Sequence, residues 1–223
     1  MPGDMIPGPH FTSPSTKLTG LFPLSSAAES PAQGFVMSAF AYLSSLLQDR
    51  HVASVMPTSR FAVEKICSRI DLETAQVVIE FGPGTGVFTR ALLRRMTPES
   101  CLIAIERNEA LFNLLRRSCR DPRLQLCNDC AGNILDIVRR CDAGQADCVL
   151  SGIPFSFLPV KARVELLRNT HRILKRGGQF IAYQTFYQPP GHLRAPLREI
   201  FRVVNTGYAI LSVPPLLLLE ATK

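Results

Sequence analysis

The sequence lacks the features that mark membrane-spanning, secreted and zinc-binding proteins. No apolar run approaches the roughly 20 residues that a helix needs to span a bilayer, so no transmembrane helix is predicted. The N-terminus has no basic start followed by an apolar stretch, which argues against a secretory signal. Seven cysteines include one C-x-x-C pair, Cys127 and Cys130, without a second pair to complete a zinc site. We therefore expect reduced thiols, no metal site and a cytoplasmic protein.

The composition is that of a folded chain with a basic surface. Of 223 residues, 46% are hydrophobic and 19% are charged, which is typical of a globular protein rather than a disordered one. The length suits one α/β domain with a substantial core. The formal net charge of +7 suits an anionic partner, either a lipid surface or a nucleic acid, without choosing between them.

Three segments differ in pattern. Residues 1–33, rich in proline, glycine, serine and threonine, are predicted to form a flexible leader. Residues 34–70 are predicted to hold N-terminal amphipathic helices: one at 35–48, with a broad apolar face and no charge, and one from about residue 58 or 59 to about residue 69. Residues 71–223 alternate strands with helices, which predicts a mostly parallel sheet covered on both faces.

Within the third segment, apolar runs and turn residues give the element bounds. The predicted strands are 77–81, 102–105, 124–127, 148–151 and 179–184, and the predicted helices are 87–96, 110–117, 134–139 and 160–174, the last ending at a Gly-Gly pair. A Pro-rich loop is predicted next, followed by two closing strands at about 202–211 and 216–221. Ligands of such sheets bind at the carboxyl ends of the strands.

A glycine loop follows the first strand and precedes a helix, which is the context such a loop needs. Its pattern, G-x-G-x-G at 82–86, lets the backbone pass close to a ligand. Glu106, 20 residues after Gly86 at the end of the second strand, can accept the two ribose hydroxyls of a nucleoside, and Asp129, just after the third strand, can accept from an adenine amino group. A dinucleotide reductase would need a further glycine where Val87 stands.

Three motifs, E-F-G-P-G-T-G-V-F-T at 80–89, A-I-E-R-N at 104–108 and D-C-A at 129–131, resemble those of class I S-adenosylmethionine-dependent methyltransferases. The resemblance implies an α/β, Rossmann-like fold with a seven-stranded, mostly parallel sheet whose last strand is antiparallel. It also implies S-adenosyl-L-methionine as cofactor and S-adenosyl-L-homocysteine as product. The cofactor-binding residues it implies are Glu80, Gly82, Pro83, Gly84, Thr85, Gly86, Glu106, Arg107, Asp129, Cys130, Ser151 and Gly152.

The segment after the fourth strand, S-G-I-P-F-S-F-L-P at 151–159, resembles that of the bacterial phospholipid N-methyltransferases, which convert phosphatidylethanolamine towards phosphatidylcholine. Residues 55–60, 177–180 and 213–215 also resemble pieces of that family. The resemblance implies a phospholipid substrate, and the acceptor lipid, an ornithine lipid included, stays open. The candidate catalytic residues are Tyr42, Tyr183, Tyr187 and Ser151, and the candidate substrate-binding residues are Arg60, Ile153, Pro154, Phe155, His192 and Arg194.

The ribosomal RNA adenine dimethylases share a similar glycine loop and are the main alternative. Their motif after the fourth strand is Asn-Leu-Pro-Tyr or close to it, whereas this sequence has Ser151 at the Asn position, although Phe155 could still stack on a base. The sequence also shows no C-terminal helical domain after the sheet and no interleaved aromatic and basic residues, which an RNA surface needs. Lipid is therefore favoured over nucleic acid. A cofactor-binding protein without turnover is a third alternative.

The helix at 35–48 suggests where the protein acts. An uncharged helix with a wide apolar face can lie in a bilayer interface. Arg50, Arg60, Lys65 and Arg69 follow it, and each is worth about 1 kcal/mol near anionic headgroups. We therefore expect a cytoplasmic protein that associates peripherally with the inner face of the membrane.

Overall fold

The computed structural model describes residues 59–185, 191–209 and 215–223, with the side chain of Thr185 left out. The leader, the predicted helix at 35–48, Tyr42 and Tyr187 lie outside these residues. The strands are β1 (Val77–Phe81), β2 (Cys101–Ile105), β3 (Leu124–Cys127), β4 (Ala146–Ser151), β5 (Leu174–Thr185), β6 (Val203–Ala209) and β7 (Leu216–Thr222). The α-helices are α1 (Arg60–Cys67), α2 (Val87–Leu93), α3 (Glu109–Ser118), α4 (Ile134–Arg140), α5 (Val160–Ile173) and α6 (Gly191–Ile200).

The strands form one seven-stranded sheet in the order β3-β2-β1-β4-β5-β7-β6. Strands β1 to β5 run parallel, and β7 is antiparallel to both of its neighbours, β5 and β6. The predicted fold class, a Rossmann-like sheet of seven strands with the last one antiparallel, is thus confirmed. The strand order reverses between β1 and β4, and a crevice at the carboxyl ends of such a pair is where ligands bind.

The core has two layers because successive residues of a strand point to opposite faces of the sheet. On one face, Val78 and Leu102 pack with the buried residues of α1 and α2. On the other face, Ile79 and Ile103 pack with the buried residues of α4, α5 and α6. With both faces covered, the central parallel strands read as nearly continuous apolar runs, which is why the sequence showed them so clearly.

The N-terminal end of the described structure agrees with the predicted second helix. Ser59 caps α1, its hydroxyl oxygen accepting a hydrogen bond from the Ala62 amide at 3.2 Å. The apolar face of α1, carried by Val63 and Ile66, is buried against the sheet layer that also holds α2. α1 ends at Cys67, slightly before the predicted end.

The predicted Pro-rich loop before the closing strands is wrong in its second half. Residues 191–200 form α6, which includes Pro196. Leu193 and Leu197, one helical turn apart, are both fully buried, and this tertiary packing outweighs the one helical hydrogen bond that proline cannot donate.

The fifth strand is longer than predicted and begins where α5 ends. β5 starts at Leu174 rather than at residue 179, and the register shifts between its pairing with Ala146 and its pairing with Cys148. Gly177, with φ of 80°, lies in this irregular part of the strand rather than closing the preceding helix.

Candidate active site

The glycine loop joins β1 to α2 and exposes bare backbone at the carboxyl edge of the sheet. Gly84 and Gly86 have φ of 56° and 80°, in the left-handed region that favours glycine. A Cβ at Gly86 would lie 2.3 Å from the Leu115 side chain, so this position also needs glycine for space. A Cβ at Gly84 would meet no atom within 4 Å. The loop is therefore packed on one side and open to a ligand at Gly84.

Glu106, at the end of β2, braces the open part of this loop. One carboxylate oxygen accepts the Gly84 amide at 3.0 Å, and the other accepts the Asn108 amide at 2.8 Å. Glu106 is only 7% exposed, and this burial raises the pKa of its carboxyl group. A carboxylate has about four lone-pair sites, so Glu106 retains acceptor capacity for the hydroxyls of a ribose.

Glu80, in β1 directly beneath the loop, is fully buried. Its Oε2 accepts a hydrogen bond from the Thr89 hydroxyl at 2.7 Å, whereas its Oε1 has no partner among the described residues. Burial raises the pKa of Glu80 to about 7, against the lowering effect of the Thr89 hydrogen bond. A buried, unsatisfied acceptor is costly, and a donor on a ligand, such as an ammonium group, would satisfy it. Thr89 lies within the sequence motif, but the sequence alone assigned it no role.

The loop after β3, which carries Asp129, is attached to the end of β2. The Asn128 side-chain amide donates to the Glu106 carbonyl at 2.8 Å, which attaches the loop to the end of β2. Asp129 accepts from the Asn133 side chain at 2.7 Å and pairs with Arg140 at 2.5 Å, and the hydrogen bond from Arg140 lowers the pKa of Asp129. The carboxylate expected to bind adenine is thus held ionised by an arginine that the sequence reading missed.

The segment after β4 touches the glycine loop directly. The Gly152 amide donates to the Phe81 carbonyl at 2.9 Å, and a Cβ at Gly82 would lie 3.5 Å from the Ile153 side chain. Ser151 is fully buried at the end of β4. Gly82, predicted to contact the cofactor, and Ile153, predicted to contact the acceptor, therefore lie against each other.

Tyr183, near the end of β5, packs against this site at Gly152. Its hydroxyl lies so close to Gly152 that a Cβ there would be 2.4 Å from the phenolic oxygen. Its ring packs on Phe88, with centroids 4.4 Å apart. Burial of the hydroxyl, and then the charge of Glu80, raise the pKa of Tyr183 well above its ordinary value. The phenol therefore keeps its proton, and its oxygen can act as a hydrogen-bond acceptor rather than as a phenolate base.

Other predicted site residues are placed differently. Phe155 is fully buried, with its ring edge-on to Phe180 at 6.1 Å, so it is a core residue rather than a free surface for stacking on a base. Arg60, His192 and Arg194 are exposed, on the first turn of α1 and on α6. Pro83, Thr85 and Pro154 lie in the loops after β1 and β4, and Arg107 and Cys130 are exposed and directly follow Glu106 and Asp129 in the sequence.

Arg163 was not expected from the sequence. This α5 residue is 5% exposed, and its guanidinium donates to the Phe155, Leu158 and His192 carbonyls at 3.0, 2.9 and 2.8 Å. No sequence signal marked it, because an arginine on an amphipathic helix is ordinarily a solvated residue.

Comparison with known proteins bears directly on this site. Residues 78–178 match a family model described as "Methyltransferase domain". Over 145 residues the chain is 29% identical to an ornithine lipid N-methyltransferase of Singulisphaera acidiphila, covering 61% of this chain and 76% of that protein.

Among solved structures, two similar chains illustrate the range of the fold. The 1,6-didemethyltoxoflavin-N1-methyltransferase of Burkholderia thailandensis, solved with bound 1,6-didemethyltoxoflavin and S-adenosylhomocysteine, has a TM-score of 0.63 at 17% identity, covering 90% of this chain and 93% of that one. An rRNA-methylase of Clostridium thermocellum, described as putative, has a TM-score of 0.59 at 13% identity, covering 75% and 97%. At these identities the likeness shows the fold alone.

The fold and the domain match both agree with the class that the sequence predicted. Residues 78–178 match a methyltransferase domain, and the sheet around them has the fold of the class I methyltransferases, which agrees with the predicted cofactor, S-adenosylmethionine. The site fits that group, since the open backbone of Gly84, the Glu106 carboxylate bonded to it and the Glu80 oxygen left without a partner by the described residues all lie at the carboxyl ends of β1 and β2.

Proposed function

We propose that the protein transfers methyl groups from S-adenosylmethionine to the amine of a membrane phospholipid, converting phosphatidylethanolamine towards phosphatidylcholine, at the inner face of the membrane. The observation that carries the proposal is the close packing of the lipid-methyltransferase-like segment on the glycine loop: a Cβ at Gly82 would lie 3.5 Å from the Ile153 side chain, and a Cβ at Gly152 would lie 3.3 Å from the Gly82 carbonyl oxygen. The ornithine lipid N-methyltransferase among the relatives is a second, independent support for a lipid amine.

The surface next to this segment is suited to a lipid interface. Phe157 and Val160, in and just after the segment, are 36% and 68% exposed. Lys161 beside them and Arg194 on the adjoining helix α6 are exposed basic residues. Exposed apolar side chains beside positive charge favour an anionic bilayer surface. Within the described ranges, no helix combines the length and hydropathy needed to cross a membrane.

Bound S-adenosylmethionine supplies a methyl group already activated on a sulfonium centre. On the protein side, Oε1 of Glu80, to which no described residue donates, would accept from its ammonium group, and Glu106 would accept from its ribose. An unprotonated amine is the required nucleophile, and an apolar site disfavours the ammonium form. The Tyr183 hydroxyl and the Ser151 and Gly152 carbonyls are candidate acceptors that orient this amine. Holding the amine in line with the methyl group is catalysis by proximity.

The activity can be tested by following a radiolabelled methyl group. The protein is incubated with labelled S-adenosylmethionine and, separately, with phosphatidylethanolamine vesicles, ornithine lipid vesicles or RNA. We expect label in phosphatidylethanolamine. Label in ornithine lipid alone would move the proposal to that acceptor, and label in RNA alone would replace it with adenine methylation. Donor binding without labelling of any of them would refute enzymatic activity towards these acceptors.

Membrane association is tested separately, by sedimentation with anionic vesicles. A Phe157→Ser/Val160→Ser variant should bind less than the wild type because it removes the exposed apolar pair. Val203→Ser, at an exposed apolar residue of β6, is the matched control. Deletion of residues 1–50 should also reduce binding if the predicted helix at 35–48 is an interfacial anchor. Equal binding by all variants would contradict the proposed membrane contacts.

A further inference from the structure

Arg163 connects two parts of the acceptor side that are far apart in sequence. Its Nε and one terminal nitrogen donate to the Phe155 and Leu158 carbonyls, in the segment after β4, and its other terminal nitrogen donates to the His192 carbonyl, in the first turn of α6. The planar guanidinium presents its N–H groups in a fixed fork, so the three bonds set the relative position of both segments. The residue is buried, and desolvation lowers its pKa.

The bond to His192 has a local cause in the sequence of α6. In an α-helix, the carbonyl of residue 192 would accept from the backbone N–H of residue 196. Residue 196 is proline, which has no N–H, so this carbonyl lacks its helical donor. The Arg163 guanidinium supplies one at 2.8 Å. Arg163 and Pro196 thus form a matched pair, in which the arginine satisfies the carbonyl that the proline leaves free.

We propose that Arg163 is a positioning residue for methyl transfer. By joining the segment after β4 to the start of α6, it holds these two segments, together called the acceptor wall, in one arrangement. The inference rests on the proposed function only in taking this wall as the lipid-binding side. Ile153, Pro154, His192 and Arg194 are predicted to contact the acceptor. Arg163 bonds to the carbonyl of Phe155, which directly follows the first two, and to the carbonyl of His192. The glycine loop, which binds the donor, receives no bond from it in the described structure.

The test separates acceptor use from donor binding. In Arg163→Met we expect kcat/KM for phosphatidylethanolamine vesicles to fall by ~10- to 100-fold, the range that small misplacements cause, while the Kd of S-adenosylmethionine changes by less than ~2-fold. Arg168→Met, at an exposed position of the same helix, should match the wild type. Arg163→Lys retains the charge but not the forked arrangement of N–H groups, so its kcat/KM should lie between those of Arg163→Met and the wild type. An equal loss of donor affinity and lipid turnover would reduce Arg163 to a general stabiliser and overturn the proposal.

A double-mutant cycle tests the pairing with proline. Pro196→Ala restores the N–H that can donate to the His192 carbonyl, so the loss caused by Arg163→Met should be smaller in the Pro196→Ala background than in the wild type. Additive effects would contradict the pairing.

A failure to methylate any lipid would refute the proposed function but not the positioning role of Arg163. Hydrogen exchange tests that role without lipid turnover. In Arg163→Lys, which is the milder change if Arg163→Met fails to fold, amide exchange should rise in residues 153–158 and 191–196 and stay unchanged in 82–86. Unchanged exchange in either acceptor segment would overturn the proposal.

Discussion

The buried carboxyl group of Glu80 leads to a prediction about stability and pH. The side chain is fully buried, one of its oxygens has no partner among the residues that the structure describes, and burial raises its pKa from an ordinary value of 4.5 to about 7. A Glu80→Gln variant keeps nearly the same size and cannot ionise. Its stability should therefore lack the pH dependence that Glu80 confers on the wild type.

The sign and size follow from proton linkage. Below the unfolded pKa, both states of the wild type hold the Glu80 proton, and the folded state has no penalty. As pH rises towards 7, the unfolded chain releases this proton and the folded chain retains it, so the free energy of unfolding falls. Each unit of pKa difference corresponds to 1.36 kcal/mol, so the loss is on the order of 3 kcal/mol once the pH exceeds the folded pKa.

The measurement is urea unfolding followed by far-ultraviolet circular dichroism, because the chain has no tryptophan to serve as a fluorescent probe. Wild type and Glu80→Gln are compared between about pH 5 and pH 8, and only the difference between the two curves is interpreted, since the other titrating groups cancel. The variant should gain stability relative to the wild type as pH rises. Parallel curves would refute the assignment of the raised pKa to Glu80.

Three further results are expected at the same site. A cationic ligand favours the ionised form of Glu80, so the affinity of the wild type for S-adenosylmethionine should rise as pH increases towards 7 and then level off. Glu80→Gln should not show this rise, and isothermal titration calorimetry measures both affinities. Gly152→Ala should cost about 1–3 kcal/mol in urea unfolding, because its Cβ would lie 2.4 Å from the Tyr183 hydroxyl; a Tyr183→Ala partner substitution should recover part of that loss. Glu106→Ala should raise the Kd of S-adenosylmethionine by roughly 10- to 100-fold, because hydrogen bonds to a charged group contribute about 1.5–3 kcal/mol. Glu109→Ala, at an exposed position, should leave the Kd unchanged. Normal affinity in Glu106→Ala would contradict the ribose assignment.

Much of the cofactor side could be predicted because its signals are local. Apolar runs bounded by turn residues predicted β1 and β3 with the bounds that the structure shows. The glycine spacing, together with acidic residues at successive strand ends, predicted a nucleoside site, since the carboxyl ends of parallel strands meet at one edge of the sheet. The structure places Gly84 and Glu106 in direct contact there.

The acceptor side was less predictable because its geometry depends on contacts across the sheet. The proline in α6 obscured a helix that two buried leucines stabilise. The aromatic residue Phe155 fitted the motif of a stacking platform, but its ring is fully buried against Phe180. No local pattern distinguishes an aromatic ring that faces a crevice from one that faces the core.

By itself, the sequence determined the order and type of most elements, because periodicity and glycine spacing are properties of neighbouring residues. The same local signals predicted a methyltransferase and the residues that would surround the donor. Only the tertiary structure decided which groups lose water and which remain unsatisfied. The raised pKa of Glu80, the Tyr183 hydroxyl above Gly152 and the Arg163 bonds to two distant segments all arise from residues that the fold brings together. Burial and long-range hydrogen bonding depend on that assembly, so they could not be read from the chain.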